Sequence, residues 1–236
     1  MKTGNTALCV ALDAAHPDEC ERLARVTSSS ADMFKVGLTS YAAGDGDLVA
    51  RVGELGPVFL DVKLHDIPAQ VAGAVRVLRT LGVAYVTAHA AGGAGMVEAA
   101  VDAAEGAVQV LAVTVLTSLG GDDLATAGVS GGVTPHVLRL AELALEARAA
   151  GLVCSPREVE ALRARFGARA AGGPLLVVPG IRTSGAPTGD QRRVASPGAA
   201  AAAGADVIVV GRPITAAPDP ALAAAEVTRQ LDRARA

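Results

Sequence analysis

The stretch VFLDVKLHDIP, residues 58 to 68, sets Asp61, Lys63, His65 and Asp66 into a run that otherwise has the make-up of a buried strand. Side chains alternate along a strand, so Phe59, Asp61 and Lys63 share one face while Leu60, Val62 and Leu64 share the other. An apolar face of this kind packs under helices, and a charged face of this kind lines a cavity. Buried charge without a partner is costly, which predicts that each carboxylate is matched by a lysine, with Lys63 and Lys35 as the partners at hand. A solvated ion pair on the outer face of an antiparallel sheet is the alternative. Which one holds depends on what surrounds the strand.

Seven further runs of the same type follow the chain: ALCVAL, MFKVG, YVTAHA, VQVLAVTVL, GLVCS, LLVVPGI and DVIVVGR. Between them lie stretches rich in Ala, Leu, Glu and Arg, such as DECERLARV, QVAGAVRVLRTLG, VLRLAELALEARAAG and SPREVEALRARFG, whose apolar spacing suits amphipathic helices. Strand and helix alternate throughout, which favours parallel βαβ units with both sheet faces covered and disfavours the solvated-pair reading. A spacing of about 25 to 30 residues per unit predicts a (β/α)8 barrel of the TIM type. The alternative is a doubly wound open sheet, but the first strand runs into ALDAAHPDE and not into a GxGxxG turn. Residues 1–236 are read as one domain, with AAAAAG at 199 to 204 as the end of a helix. Two connections are long for simple turns: SLGGDDLATAGVSGGVTP after the fifth strand and TSGAPTGDQRRVASPG after the seventh.

Composition narrows the function. Of 236 residues 51% are hydrophobic, enough for a sizeable core, while aromatic residues make up 2% and the net charge is -3, which leaves little for stacking on bases or neutralising phosphates. No nucleic-acid partner is expected. No apolar run reaches the roughly 20 residues of a membrane helix, and an acidic residue interrupts the amino terminus before a signal-peptide core forms. The expectation is a soluble, cytoplasmic protein with no membrane partner. Cys9, Cys20 and Cys154 lack a CxxC spacing and are read as reduced, buried thiols. His16, His65, His89 and His136 are too scattered for a local ligand pair, so no metal is expected.

In a barrel the carboxyl ends of the strands surround one cavity and carry the active site. Here those ends hold Asp13, Lys35, Asp61 with Lys63, His89, Thr117, Cys154, Arg182, and Gly211 with Arg212. The loops after strands seven and eight are common phosphate sites. A glycine at position 211 admits backbone N–H groups to an anion, and Arg212 offers a guanidinium fork. Arg182, Gln191 and one of Arg192 or Arg193 are placed to close over the same group.

With these residues in view, DVKLHDIP resembles the DxKxxD signature of the orotidine 5′-phosphate decarboxylase family, in its bacterial form. The resemblance extends to ALD at the first strand, FKVG at the second, VTVLTS at the fifth, PGIR at the seventh and VVGRPI at the eighth. It implies a homodimer and the cofactor-free, metal-free conversion of orotidine 5′-monophosphate to uridine 5′-monophosphate (UMP) and carbon dioxide, the last step of de novo UMP synthesis. It further implies that Lys35, Asp61, Lys63 and Asp66 form the charged catalytic array, with Lys63 delivering a proton to C6 and Asp66 reaching into the neighbouring subunit's site. Asp13 and Lys35 would hold the ribose hydroxyls, Thr117 and Ser118 would face the pyrimidine, and Arg182, Gln191, Gly211 and Arg212 would bind at the phosphate. The family usually has Asn-Thr after Asp-Ile-Pro, the Thr contacting the partner's ligand; here Ala69 and Gln70 stand there. With Lys63 in the acid role, His65 and His89 are read as hydrogen-bonded structural residues. Magnesium-dependent sugar-phosphate decarboxylases and hexulose-phosphate synthases share DxKxxD and are the rival enzymes, and a silent phosphate-ligand sensor is the non-enzyme rival. HDIP, PGIR and Thr117 with Ser118 favour the nucleotide enzyme.

Overall fold

The structure is a computed structural model that describes residues 6–182 and 193–234. Eight strands form a closed parallel barrel in sequential order: β1 Ala7–Ala11, β2 Met33–Gly37, β3 Val58–Leu64, β4 Tyr85–His89, β5 Gln109–Val113, β6 Gly151–Val153, β7 Leu175–Val178 and β8 Val207–Val210. Closure rests on β8, whose Val207 to Val210 pair in register with Ala7 to Val10 of β1. The predicted (β/α)8 architecture is therefore the observed one.

The alternation of each strand divides the interior into two packed layers. Ala7, Cys9, Ala11, Met33, Phe59, Leu111, Val113, Val153, Leu175, Val177, Val207 and Val209 fill the barrel's inside. Their neighbours in sequence, among them Leu8, Val10, Phe34, Leu60, Val86, Leu152, Leu176 and Ile208, face outward into the larger core under the helices. Cys9, Cys20 and Cys154 are free and buried, as expected.

The helices α1 Pro17–Thr27, α2 Leu38–Gly53, α3 Pro68–Leu78 and α4 Ala94–Ala104 follow the first four strands. The long connection after β5 contains a short helix, α5 Gly121–Thr126, before α6 Val133–Glu146. Nothing in the sequence reading anticipated α5, whose first turn is closed by Asp123 accepting from the Gly120 N–H at 2.8 Å. The circuit is completed by α7 Val159–Phe166, α8 Pro197–Ala202, α9 Arg212–Thr215 and α10 Pro220–Arg233. The alanine run at 199 to 204 ends a helix, as read. Among the described residues no helix is long and apolar enough to cross a membrane.

One irregularity bears on the site. Between Leu60 and Leu64, β3 advances four residues while β4 advances only from Val86 to Ala88, so the ladder is bulged there. Lys63 sits within this bulge with φ 51°, a left-handed conformation uncommon for a residue with a Cβ. Its N–H bonds to the Thr87 hydroxyl at 2.9 Å.

Candidate active site

A cavity of about 590 Å³ opens at the carboxyl ends of the strands. Its apolar floor is the top of the inner core, with Ala11, Phe59, Val113, Val153 and Val209, and its walls carry Asp13, Lys35, Asp61, Lys63, Thr117, Arg182, Gly211 and Arg212. Eight of the predicted site residues thus meet in one cavity.

Four of them form a chain of alternating charge. Lys35 Nζ lies 2.8 Å from Asp13 Oδ1 and 3.5 Å from Asp61 Oδ2, and Lys63 Nζ lies 2.8 Å from the same Asp61 oxygen. The two central groups are buried: the side chains of Lys35 and Asp61 are each 10% exposed, against 38% for Lys63. Burial pushes the Lys35 ammonium down, yet the carboxylates of Asp61 and Asp13 outweigh it and hold the group above its ordinary value. Asp61 is the mirror case. Burial pushes its carboxyl up, but Lys35, Lys63 and hydrogen bonds from Lys63 and Thr87 hold it below the usual range. Both groups are therefore ionised at neutral pH. Of the chain's two cations, Lys63 is the one that a ligand can reach.

Local structure fixes these positions. Asp61 follows Phe59 on the inward face of β3, and the bulge at Lys63 turns its long side chain back over the Asp61 carboxylate. Thr87, buried on β4, donates from its hydroxyl to Asp61 Oδ1 at 3.1 Å. Gly37 ends β2 beside the Asp13–Lys35 pair. A Cβ there would collide with Asp13 Oδ1 and stand 2.9 Å from Lys35 Nζ, so only glycine leaves that ion pair its place.

The phosphate end predicted from sequence is built from Arg182, Gly211 and Arg212, which line the cavity on the side of β7 and β8. Gly211 and Arg212 begin α9, whose Ile214 and Thr215 N–H groups bond back to the Gly211 carbonyl. Gln191 and Arg192 lie outside the described residues. Of the two alternatives Arg192 and Arg193, the structure removes Arg193. It does not line the cavity but is buried, 4% exposed, because the Glu158 carboxylate and two carbonyls just beyond β5 offer acceptors to both of its terminal nitrogens, while its buried Nε has no partner among the described residues.

Thr117 lines the cavity, whereas Ser118 beside it is exposed and is not among the lining residues. Asp66 and Gln70 also lie apart from the charged chain. Both are exposed and border a separate shallow cavity of about 350 Å³ with Lys63 and His65, and Asp66 Oδ1 accepts from the Ile67 N–H at 2.6 Å. Cys154 lines the main cavity, and burial pushes its thiol up, so it stays protonated. His89 does not line the cavity. Its ring packs on His65 with centroids 5.3 Å apart, and its buried Nδ1 has no partner among the described residues, contrary to the hydrogen-bonded role read from sequence. Among the described residues no group of His, Cys, Asp and Glu is arranged to hold a metal ion.

Two contributors escaped the sequence reading. Thr87 was legible in principle, since the alternation of YVTAH puts it on the inward face with Tyr85. Glu158 was legible only as the last residue of Ser-Pro-Arg-Glu, a capping-box pattern that Ser155 and Glu158 do form.

Comparison with known proteins settles the lineage of this constellation. Residues 6–227 match the family described as orotidine 5′-phosphate decarboxylase / HUMPS. The chain belongs to that family. It is 52% identical over 225 residues to orotidine 5′-phosphate decarboxylase of Anaeromyxobacter sp. (strain K), covering 95% of this chain and 97% of that protein. It is 47% identical over 228 residues to the Thermobifida fusca protein of the same name, covering 96% of each. Among solved structures, orotidine 5′-phosphate decarboxylase from Lactobacillus acidophilus superposes with a TM-score of 0.83 at 30% identity, covering 97% of this chain and all of that one. Family membership thus agrees with the barrel and with the DxKxxD segment that carries the charged chain.

Proposed function

We propose that this protein decarboxylates orotidine 5′-monophosphate to UMP and carbon dioxide in pyrimidine biosynthesis, with Lys63 as the proton donor to C6. The observation that carries the reading is the ionised chain Asp13–Lys35–Asp61–Lys63 along one wall of a cavity whose β7–β8 side holds Arg182 and Arg212.

The chemistry asks for such a chain. Loss of carbon dioxide from C6 leaves an electron pair in an sp2 orbital that the pyrimidine ring cannot delocalise as an enolate would. A fixed cation next to C6 stabilises that pair as it develops, and because the cation is an ammonium it can then supply the proton. Lys63 is the exposed cation of the chain and meets both demands. Asp61 tethers Lys63 through a 2.8 Å ion pair, and its own negative charge faces the carboxylate that departs. Asp13 and Lys35 suit the ribose hydroxyls, as acceptor and donor respectively. Thr117 suits the edge of the base. Arg182 and Arg212 suit the phosphate, whose binding energy is remote from the bond that breaks and can be used to hold the ring against Lys63.

The protein acts, in this reading, as a cytoplasmic homodimer in which Asp66 and Gln70 serve the partner's site. Their exposure beside Lys63, together with Ile67 at 64% exposed, supports a surface meant to be covered. The test of the reaction is loss of the orotate chromophore on adding substrate to the purified protein in excess chelator. Turnover is expected to persist. Activity that disappears with chelator and returns with magnesium would transfer the chain to the enediolate-forming branch of the family.

A further inference from the structure

Arg193 is the most completely enclosed cation among the described residues, and the mechanism above gives it no task. Its Nη1 donates to Glu158 Oε1 at 2.8 Å, and its Nη2 donates to the carbonyls of Val115 at 3.0 Å and Leu116 at 2.8 Å. Glu158 is 2% exposed, and its other oxygen accepts from the Ser155 N–H at 3.2 Å and from the Ser155 hydroxyl. Each anchor adjoins a wall of the cavity. Val115 and Leu116 line it and precede Thr117, and Ser155 follows Cys154, which lines it too. The third wall is reached through the backbone: two residues beyond Arg193, Ala195 bridges to Ile181, with the Arg182 N–H on the Ala195 carbonyl at 2.9 Å and the Ala195 N–H on the Gly180 carbonyl at 3.2 Å. Arg182 lines the cavity at the phosphate end.

We infer that Arg193 is a positioning residue, a buried staple that holds the base-side wall at Leu116–Thr117 and the phosphate-side wall at Arg182 in one fixed relation. The inference rests on the proposed reaction only for its kinetic readout. The guanidinium suits the place because it sets two nitrogens at a fixed separation in one rigid plane, Nη1 on Glu158 and Nη2 on both carbonyls, whereas an ammonium brings a single nitrogen on a flexible stem. The burial of the pair also fits a geometric role better than a stabilising one. Buried ion pairs add little net stability over apolar packing, whereas they do define a single arrangement.

The test is Arg193→Lys in the full-length protein, with melting, steady-state kinetics and UMP affinity measured beside the wild type. Lysine retains the charge opposite Glu158, so a role limited to charge balance predicts a folded variant with unchanged kinetics. The positioning role predicts that the folded variant loses on the order of 10- to 100-fold in kcat/KM, with UMP affinity reduced in parallel, as expected when reacting groups shift by about 1 Å. Unchanged kcat/KM per folded molecule overturns the inference.

If the variant does not fold, amide hydrogen exchange of the wild type decides, with inorganic phosphate as the probe. Phosphate should slow exchange at residues 115–117 as well as at 180–182 and 193–195. Protection confined to the latter two segments, or absent from all, overturns the staple. This measurement needs no turnover. A wild type that fails to decarboxylate the nucleotide would refute the proposed reaction and leave the staple to be judged on exchange alone.

Discussion

The Thr87 hydroxyl on β4 donates to Asp61 Oδ1 on β3 at 3.1 Å, and Thr87 Oγ1 in turn accepts the N–H of Lys63 at 2.9 Å. One buried side chain thereby holds both the carboxylate at the centre of the charged chain and the backbone from which the proposed acid projects. It also satisfies the N–H that the β3 bulge removes from the ladder, which is what makes the left-handed turn at Lys63 tolerable.

Thr87→Val keeps the shape and removes the hydroxyl. Two buried polar groups lose a partner, so unfolding should become easier by about 1–3 kcal/mol. Lys63 should also lose its fixed direction, lowering kcat on the order of tenfold, which corresponds to about 1.4 kcal/mol in the barrier. Thr87→Ser should recover most of both. Denaturant titration and initial rates check this, and a valine variant with unaltered kcat would detach Thr87 from the site.

Arg212→Ala should raise KM for the nucleotide substantially while harming a substrate without phosphate far less, because the lost interaction is with the remote group. Parallel assays on the two substrates measure the difference. Equal losses on both would remove Arg212 from the phosphate end.

A third expectation concerns pH. Burial, and after it the neighbouring charges of His65 and Lys63, hold the His89 imidazole below its ordinary value. Folding therefore favours the neutral ring. As pH falls below the unfolded value, about 6.5, the unfolded chain takes up a proton that the folded chain resists, and stability falls; well above it the contribution no longer varies. Urea midpoints measured between about pH 7.5 and 5 should decline more steeply for the wild type than for His89→Gln. Identical slopes would contradict the burial of a neutral His89.

Asp66 gives a prediction about assembly. In the proposed homodimer, the Lys63→Ala and Asp66→Ala variants should each be inactive on their own. Random subunit exchange between equal amounts makes half the dimers mixed, each with one intact site if Asp66 serves its partner, so activity should return to about a quarter of the wild-type value. No return, once exchange is confirmed with tagged subunits, would leave Asp66 as a local neighbour of Lys63.

Much of this was legible before any coordinates. The barrel follows from strands whose residues are apolar on both faces and from the helical periodicity between them. The charged chain follows from the strands in which that pattern fails, at Lys35 in β2 and at Asp61 and Lys63 in β3. Strand β3, Val58–Leu64, lies within the stretch 58 to 68 from which the alternation of Phe59, Asp61 and Lys63 was read. What was not legible depends on contacts distant in sequence. The bulge at Lys63 exists because Thr87, 24 residues later, offers an acceptor for a displaced N–H. Arg193 was offered, as an alternative to Arg192, for the phosphate end because it stands in a polar, glycine-rich connection. Its burial is decided by Glu158, 35 residues earlier, and by carbonyls 77 and 78 residues away. A solvated loop arginine and a buried staple have the same local sequence.

The most direct measurement compares the wild type with Lys63→Ala, following loss of the orotate chromophore and, separately, binding of UMP. The wild type should turn over with no added metal or cofactor. The variant should fall to background, a loss on the order of 10⁴-fold or more given that it lacks both the proton donor and the fixed cation. Its UMP affinity should stay within about tenfold, or 1.4 kcal/mol, because Asp13, Lys35, Arg182 and Arg212 remain. Substantial turnover by Lys63→Ala would contradict the assignment of Lys63 as the acid that protonates C6.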